Sequence, residues 1–163
     1  TNSFASALLS ALREDPNVLL VGELRDLETV HMALTAAEMG ILVMATLHTS
    51  SAASSIDRII NVFPPGEESY VRTMLSTSLC GVISQQLMRK ADNRGRIAAI
   101  EIMINNPAVA NIIRDGKTEQ LDNIGIEIVV FDNLMDFIIL FSVAISLSIL
   151  LELLIVIGHK EEV

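Results

Sequence analysis

The residues best suited to chemistry follow two apolar runs. Val18-Leu19-Leu20-Val21 leads into Gly22-Glu23-Leu24-Arg25-Asp26, and Ala45-Thr46-Leu47 leads into His48-Thr49-Ser50-Ser51. The C-terminal end of a strand in an open α/β sheet faces the ligand crevice. A carboxylate there can orient or deprotonate a water that attacks a phosphate, or hold Mg²⁺ through a bridging water. Glu23 is therefore a candidate catalytic carboxylate; the alternative is a plain polar strand end, where inert carboxylates also collect. His48 falls on the same sheet edge if the two strands are neighbours, and an imidazole there can donate a hydrogen bond to a phosphate and report its presence. Otherwise it is a surface loop residue. The hydroxyls of Thr46, Thr49, Ser50 and Ser51 either join such a site or only cap the next helix.

Gly116-Lys117-Thr118 repeats the last three letters of the phosphate-binding loop GxxxxGK(S/T), whose backbone N–H groups and lysine cradle phosphates. The loop requires glycine five residues before Gly116, where Asn111 stands. It also joins a strand to a helix, whereas this tripeptide follows a helical segment. No other Gly-Lys-Ser or Gly-Lys-Thr occurs in the chain.

Placing Glu23 and His48 together requires an α/β arrangement. Ser3 or Asn2 caps a first helix with Phe4, Leu8, Leu9 and Leu12 at helical spacing, ended by Pro16 and Asn17. Val18–Val21 reads as a short strand buried on both faces, and 41–47 as a second buried strand. Between them Asp26 caps a helix to about Met39, stopped by Gly40. Ser50 or Ser51 opens a third helix that Pro64, Pro65 and Gly66 terminate. A longer helix is expected from 67 to about 90, then a turn at Asp92-Asn93-Arg94-Gly95 and a strand at 97–104. Pro107 suits the first turn of a helix over Pro107–Asp115. The alternation implies a parallel sheet with right-handed crossovers.

A chain of 163 residues can bury one sizeable core. The net charge of −9 is uneven: residues 1–125 hold 10 Lys/Arg against 14 Asp/Glu, and residues 126–163 hold one against six. An acidic chain with few aromatics offers no broad footprint for nucleic acid, and charge would not draw the tail to anionic lipid. The lone Cys80 excludes a disulfide framework and a cysteine-based zinc site within one chain. Thr1-Asn2-Ser3-Phe4, with neither an initiator Met nor a basic, apolar signal segment, is expected to be entered partway through a longer protein.

The composition shifts beyond Phe137, where 137–157 carries Glu152 as its one charge. As a helix, 137–158 would be roughly 33 Å long, about one hydrocarbon-core thickness. Apolar residues surround it on every side, so one continuous helix that does not pack into the α/β domain is expected. Lys160 is the one positive flank, and orientation does not follow from it. The tail is either a transmembrane anchor or the product of a shifted frame or gene-model join.

Several stretches together resemble a known family. Leu12-Arg13-Glu14-Asp15-Pro16, followed by Val21-Gly22-Glu23-Leu24-Arg25-Asp26-Leu27-Glu28-Thr29, resembles the Walker B region of the secretion-type hexameric ATPases. Ala33-Leu34-Thr35-Ala36-Ala37-Glu38-Met39-Gly40 and Thr46-Leu47-His48-Thr49 are similar to the helix and histidine box that follow it. Ile56-Asp57-Arg58-Ile59-Ile60, Phe63-Pro64-Pro65, Val71-Arg72 and Val82-Ile83-Ser84-Gln85 continue the likeness. Ala108-Val109-Ala110-Asn111-Ile112-Ile113-Arg114-Asp115 resembles the AIRNLIRE motif of the PilT-type motors that retract type IV pili. The likeness covers roughly residues 1–124, with its motifs in the family's order.

The resemblance implies that 1–124 is the C-terminal part of a RecA-like P-loop ATPase domain, and 125–163 a divergent tail with the candidate membrane helix 137–158. It implies Glu23 as the catalytic glutamate and His48 as the histidine-box residue that links nucleotide state to subunit movement. Ala108, Val109, Asn111, Ile112, Ile113, Arg114 and Asp115 would belong to the stretch that retraction needs, with Ala110 in place of an arginine of that motif. Gly22 stands where many other NTPases place a Mg²⁺-binding aspartate, as is usual in this family. The sister assembly ATPases carry a four-cysteine zinc site, so a single cysteine implies the retraction branch, and no metal site of that kind is expected. The complete protein would use ATP and Mg²⁺ as a homo-hexamer against the pilus platform, at the cytoplasmic face of the bacterial inner membrane, to drive twitching motility. The family's phosphate loop, aspartate box and N-terminal PAS-like domain have no counterpart in this sequence. No cofactor and no ATP turnover are therefore expected of the chain alone. The alternatives are a non-enzymatic, membrane-anchored fragment, or a segment of a related type II secretion or pilus assembly ATPase.

Overall fold

Capping side chains set the starts of three helices in the computed structural model, which describes residues 4–92, 94–124, 126–131 and 154–157. Helix α1 (Phe4–Leu12) precedes strand β1 (Val18–Val21). Asp26 caps α2 (Leu27–Glu38), its carboxylate accepting from the Thr29 N–H at 2.9 Å and the Thr29 hydroxyl at 3.1 Å. Gly40, at φ 93°, then turns the chain into β2 (Leu42–Thr46). Ser51 and Ser54 form a reciprocal capping box on α3 (Ala52–Asn61). Asn106 caps α5 (Pro107–Asp115), with Pro107 in its first turn and the left-handed Gly116 after its last. Each such N-cap contributes about 1 kcal/mol.

Among the described residues the sheet has six strands in the order β1-β2-β6-β3-β4-β5, with β3 at Leu79–Arg89, β4 at Arg96–Ile104, β5 at Ile126–Phe131 and β6 at Leu154–Ile157. β1 and β2 pair in parallel, from Val18 opposite Leu42 to Val21 opposite Ala45, and α2 makes the crossover. The remaining pairings are antiparallel. The α/β class expected from the alternation is therefore realised as a mixed sheet, with its parallel pairing at the β1–β2 edge. The core lies on one face, where Leu19, Val21, Val43, Ala45 and Val82 meet Val30, Ala33 and Leu34 of α2, Ile56, Ile59 and Ile60 of α3, and Leu75 of α4 (Glu68–Ser78). Val18 and Leu20 point the other way and are 52% and 57% exposed. β1 is thus buried on one face, not on two as its unbroken apolar run implies.

Two expectations fail, each through long-range pairing. The helix expected from 67 to about 90 ends with α4 at Ser78, and Leu79 is already extended at φ −63°, ψ 128°. From there β3 pairs with β4, Gly81 opposite Ile104 through Arg89 opposite Arg96. Gly81 fits that pairing because a Cβ would come within 2.8 Å of the Met103 carbonyl oxygen. Asn105 locks the helix-to-strand corner, donating through Nδ2 to the carbonyls of Ser76 and Leu79 at 3.2 and 2.8 Å. The helix-forming Gln85-Gln86-Leu87-Met88 run is overruled by its neighbours in space.

The second failure is the continuous apolar helix over 137–157. Leu154–Ile157, its last four residues, form β6 inside the sheet, hydrogen-bonded to β2 and β3. An apolar segment with Ile155, Val156 and Ile157 in succession is as well suited to a central strand as to a membrane helix. Residues 137–153 and 158 lie outside the described residues. Among the described residues, no helix is long and apolar enough to cross a membrane.

Candidate functional site

Glu23 and His48 reach one another because the ends of β1 and β2 are stitched together. The Leu24 N–H donates to the Thr46 carbonyl at 3.0 Å, and the Thr46 hydroxyl donates to the Gly22 carbonyl. Leu24 and Leu47, each 1% exposed, anchor the two turns in the core. Their neighbours Glu23 and His48 are turned toward the sheet's C-terminal edge, where His48 Nε2 lies 3.0 Å from Glu23 Oε1. Arg25 Nε lies 2.5 Å from the other carboxylate oxygen, Oε2. Glu23's side chain is 20% exposed, whereas those of His48 and Arg25 are 51% and 72% exposed.

The Arg25 hydrogen bond is the main reason that the Glu23 carboxyl is held below the usual carboxylate range. Partial burial opposes it, while the Arg25 charge and the His48 contact reinforce it. Arg25 is raised in turn by its hydrogen bond and charge contact with Glu23. Glu23 is consequently an ionised acceptor at neutral pH, suited to orienting a water molecule.

Beside this triad opens a cleft of about 940 Å³, lined by Arg25, His48, Thr49, Ser50, Asp57, Arg58, Gln85 and Gln86 among others. Glu23 meets it through Arg25 and His48. Two residues that the sequence reading did not single out fix the His48 loop. Gln86 Nε2 donates to the Ser50 carbonyl at 2.7 Å, and Glu101 Oε1 accepts from the Ala52 N–H at 2.8 Å. The charge of Glu101 inside the apolar run Ile100-Glu101-Ile102 was a usable signal. Gln86 was hidden by the expected helix. The hydroxyls next to His48 serve the helix start: Thr49 shares a 2.7 Å hydrogen bond with Ser55, and Ser51 is the α3 cap.

The other marked segments lie elsewhere. In α5, Val109, Ile112 and Ile113 are buried and pack toward α4, whereas Ala108, Asn111, Arg114 and Asp115 are exposed. Arg114 donates to the Asn111 side chain, and no residue of α5 lines the cleft. Gly116-Lys117-Thr118 terminates α5: Gly116 takes the left-handed position, Lys117 Nζ lies 3.2 Å from Asp115, and the Thr118 hydroxyl donates to Asp57 at 2.7 Å. These groups form no phosphate cradle. Among the described residues, a carboxylate, an imidazole and a guanidinium thus converge at the ends of β1 and β2, apart from Gly116-Lys117-Thr118.

Comparison with known proteins places the chain in a family. The chain is 59% identical over 124 residues to the twitching motility protein of Neisseria gonorrhoeae, covering 76% of this chain and 33% of that one. It is also 59% identical over 121 residues to the type IV pilus retraction ATPase PilT of Pseudomonas aeruginosa, covering 74% and 35%. The crystal structure of the pilus retraction motor PilT with bound ADP superposes with a TM-score of 0.69 at 51% identity, over 76% of this chain and 36% of that one. The chain therefore spans about a third of the length of these curated relatives. Residues 1–126 match the family model described as type II/IV secretion system protein, and the chain belongs to that family.

Proposed function

We propose that residues 1–124 form the water-activating part of an ATP-hydrolysing motor for type IV pilus retraction. The observation that carries this reading is the 3.0 Å contact between Glu23 and His48 at the ends of adjoining parallel strands, in a chain closely related to retraction ATPases. Bound Mg·ATP would supply the electrophilic phosphorus and its leaving group. Glu23 accepts a hydrogen bond from the attacking water and then its proton, with the Arg25 contact loosening as the carboxylate takes up that role. His48, bonded to the same carboxylate and lining the cleft, reports the change to the surface that a neighbouring subunit would cover.

The complete motor works as a homo-hexamer at the cytoplasmic face of the inner membrane, against the pilus platform. The exposed Asn111, Arg114 and Asp115 of α5 form a surface separate from the cleft, suited to transmitting movement. Phosphoryl transfer depends mostly on positioning and charge stabilisation, so the carboxylate side alone gives no useful turnover. The test is a chimera in which residues 1–124 replace the matched region of the Pseudomonas relative. ATP turnover and twitching in a strain lacking its own motor are expected. A folded, hexameric chimera that binds nucleotide yet hydrolyses none would overturn the reading.

A further inference from the structure

Strand β6 comes from a part of the chain that the family match does not reach: the match ends at residue 126, and β6 is Leu154–Ile157. Yet its position is interior, between β2 and β3. It is antiparallel to both, so β2 and β3 run in the same direction as one another. Paired strands lie about 4.8 Å apart, which sets β2 and β3 roughly 9–10 Å from each other, room for one strand. Without β6, two facing edges of unpaired N–H and C=O groups would stand open inside the sheet.

Relatives that fold the matched region alike have the same two edges. Within that region β1 and β4 already pair on the outer sides of β2 and β3. A strand filling that position in such a relative would come from the two-thirds of its length that this chain does not span. The β6–β3 register shifts between Leu79 and Gly81, where β3 carries one extra residue, Cys80, before its ladder with β4 begins at Gly81.

We propose that the position between β2 and β3 is a strand-accepting slot and that Leu154–Ile157 is this chain's internal plug for it. The competing occupant is an apolar strand from the part of a full-length relative outside the matched region. β6 begins at the site edge, with Leu154 opposite Thr46, so the plug backs the residue that stitches Glu23 to His48. The proposal does not depend on the ATPase reading, because its tests read strand pairing alone.

In the full chain with Cys80→Ser, oxidising Met44→Cys together with Val156→Cys should give an intramolecular disulfide, because these residues are register partners. Met44→Cys with Ile155→Cys, one residue out of register, should not. Cross-linking of the second pair alone, or of neither, overturns the plug. Ile155→Pro, again in the full chain, removes a backbone donor from a doubly paired strand. Amide exchange of both β2 and β3 should then speed up by about tenfold or more. A synthetic peptide of residues 152–158 with flanking lysines should restore their protection. Unchanged exchange in the variant, or no recovery at saturating peptide, overturns the slot.

Discussion

Residues 22–26 and residues 116–118 both offer a glycine followed by charged or hydroxyl groups, and the fold uses them in opposite ways. At the end of β1, the backbone is stitched to β2 through Thr46, and the charged tips of Glu23, Arg25 and His48 converge beside an open cleft. At the end of α5, the glycine reverses the chain, the lysine pairs with Asp115 and the threonine bonds to Asp57. The first segment gathers three charged or titratable groups on one another at a sheet edge. The second ends a helix with its glycine and holds its lysine and threonine against Asp115 and Asp57. A match of residue types acquires chemical meaning from the element that precedes it: a strand edge aims side chains at a shared crevice, whereas a helix C-terminus consumes its donors locally.

The sharpest contrast should appear in turnover. In the chimera described above, Glu23→Gln keeps size and nucleotide binding but cannot take the water's proton, and kcat should fall by about 10²–10⁴-fold. Lys117→Ala should leave kcat within about twofold, since an exposed pair with Asp115 is worth little. Equal losses in the two variants would erase the distinction between the segments. His48→Ala should cost less than Glu23→Gln, about tenfold in kcat, because it removes a partner of the carboxylate and not the acceptor itself.

Local signals made much of this legible. The caps Asp26 and Ser51, the stop at Gly40, Pro107 in the first turn of its helix and the apolar tetrad before Glu23 were all readable, because each acts within a few residues of itself. What stayed hidden depends on partners distant in sequence. Gln85 to Arg89 become strand only because β4 lies alongside, and Glu101 matters only because α3 begins within 2.8 Å of it. The last four residues of the expected apolar helix, Leu154–Ile157, were misread for the same reason. Helix and central strand cannot be told apart by periodicity in an all-apolar run, and the two open edges that draw in Leu154–Ile157 leave no mark in the sequence of that segment.

Stability should separate the two segments in the reverse order. Gly116 has φ 73°, and a Cβ there would meet the Arg72 guanidinium carbon at 3.2 Å. Gly116→Ala should therefore destabilise the chain by about 1–2 kcal/mol, from left-handed backbone strain plus displacement of Arg72. Thr118→Val, which leaves the Asp57 carboxylate without its 2.7 Å donor, should cost about 1 kcal/mol. Urea midpoints at constant m-value would measure both. Neither change should alter the titration of Glu23.

The smallest effect is also the most local. Arg25 holds Glu23 below the ordinary carboxylate range, so the folded state binds that proton less readily than the unfolded chain does. The stabilisation is accordingly complete above the unfolded carboxylate pKa and is lost as pH falls through the lower, folded one. Arg25→Ala removes the leading cause and leaves the His48 contact, so the Glu23 carboxyl should titrate at higher pH, moving back toward its ordinary value. NMR titration of the Glu23 side-chain carbon would follow this directly. Because Arg25 is largely exposed, salt should mimic part of the substitution, raising the Glu23 pKa in the parent and changing it little in Arg25→Ala. A parent titration that ignores both salt and the loss of Arg25 would show that the guanidinium does not set the charge state of this carboxylate, and with it would go the difference in electrostatics between the strand-end segment and the helix-end segment.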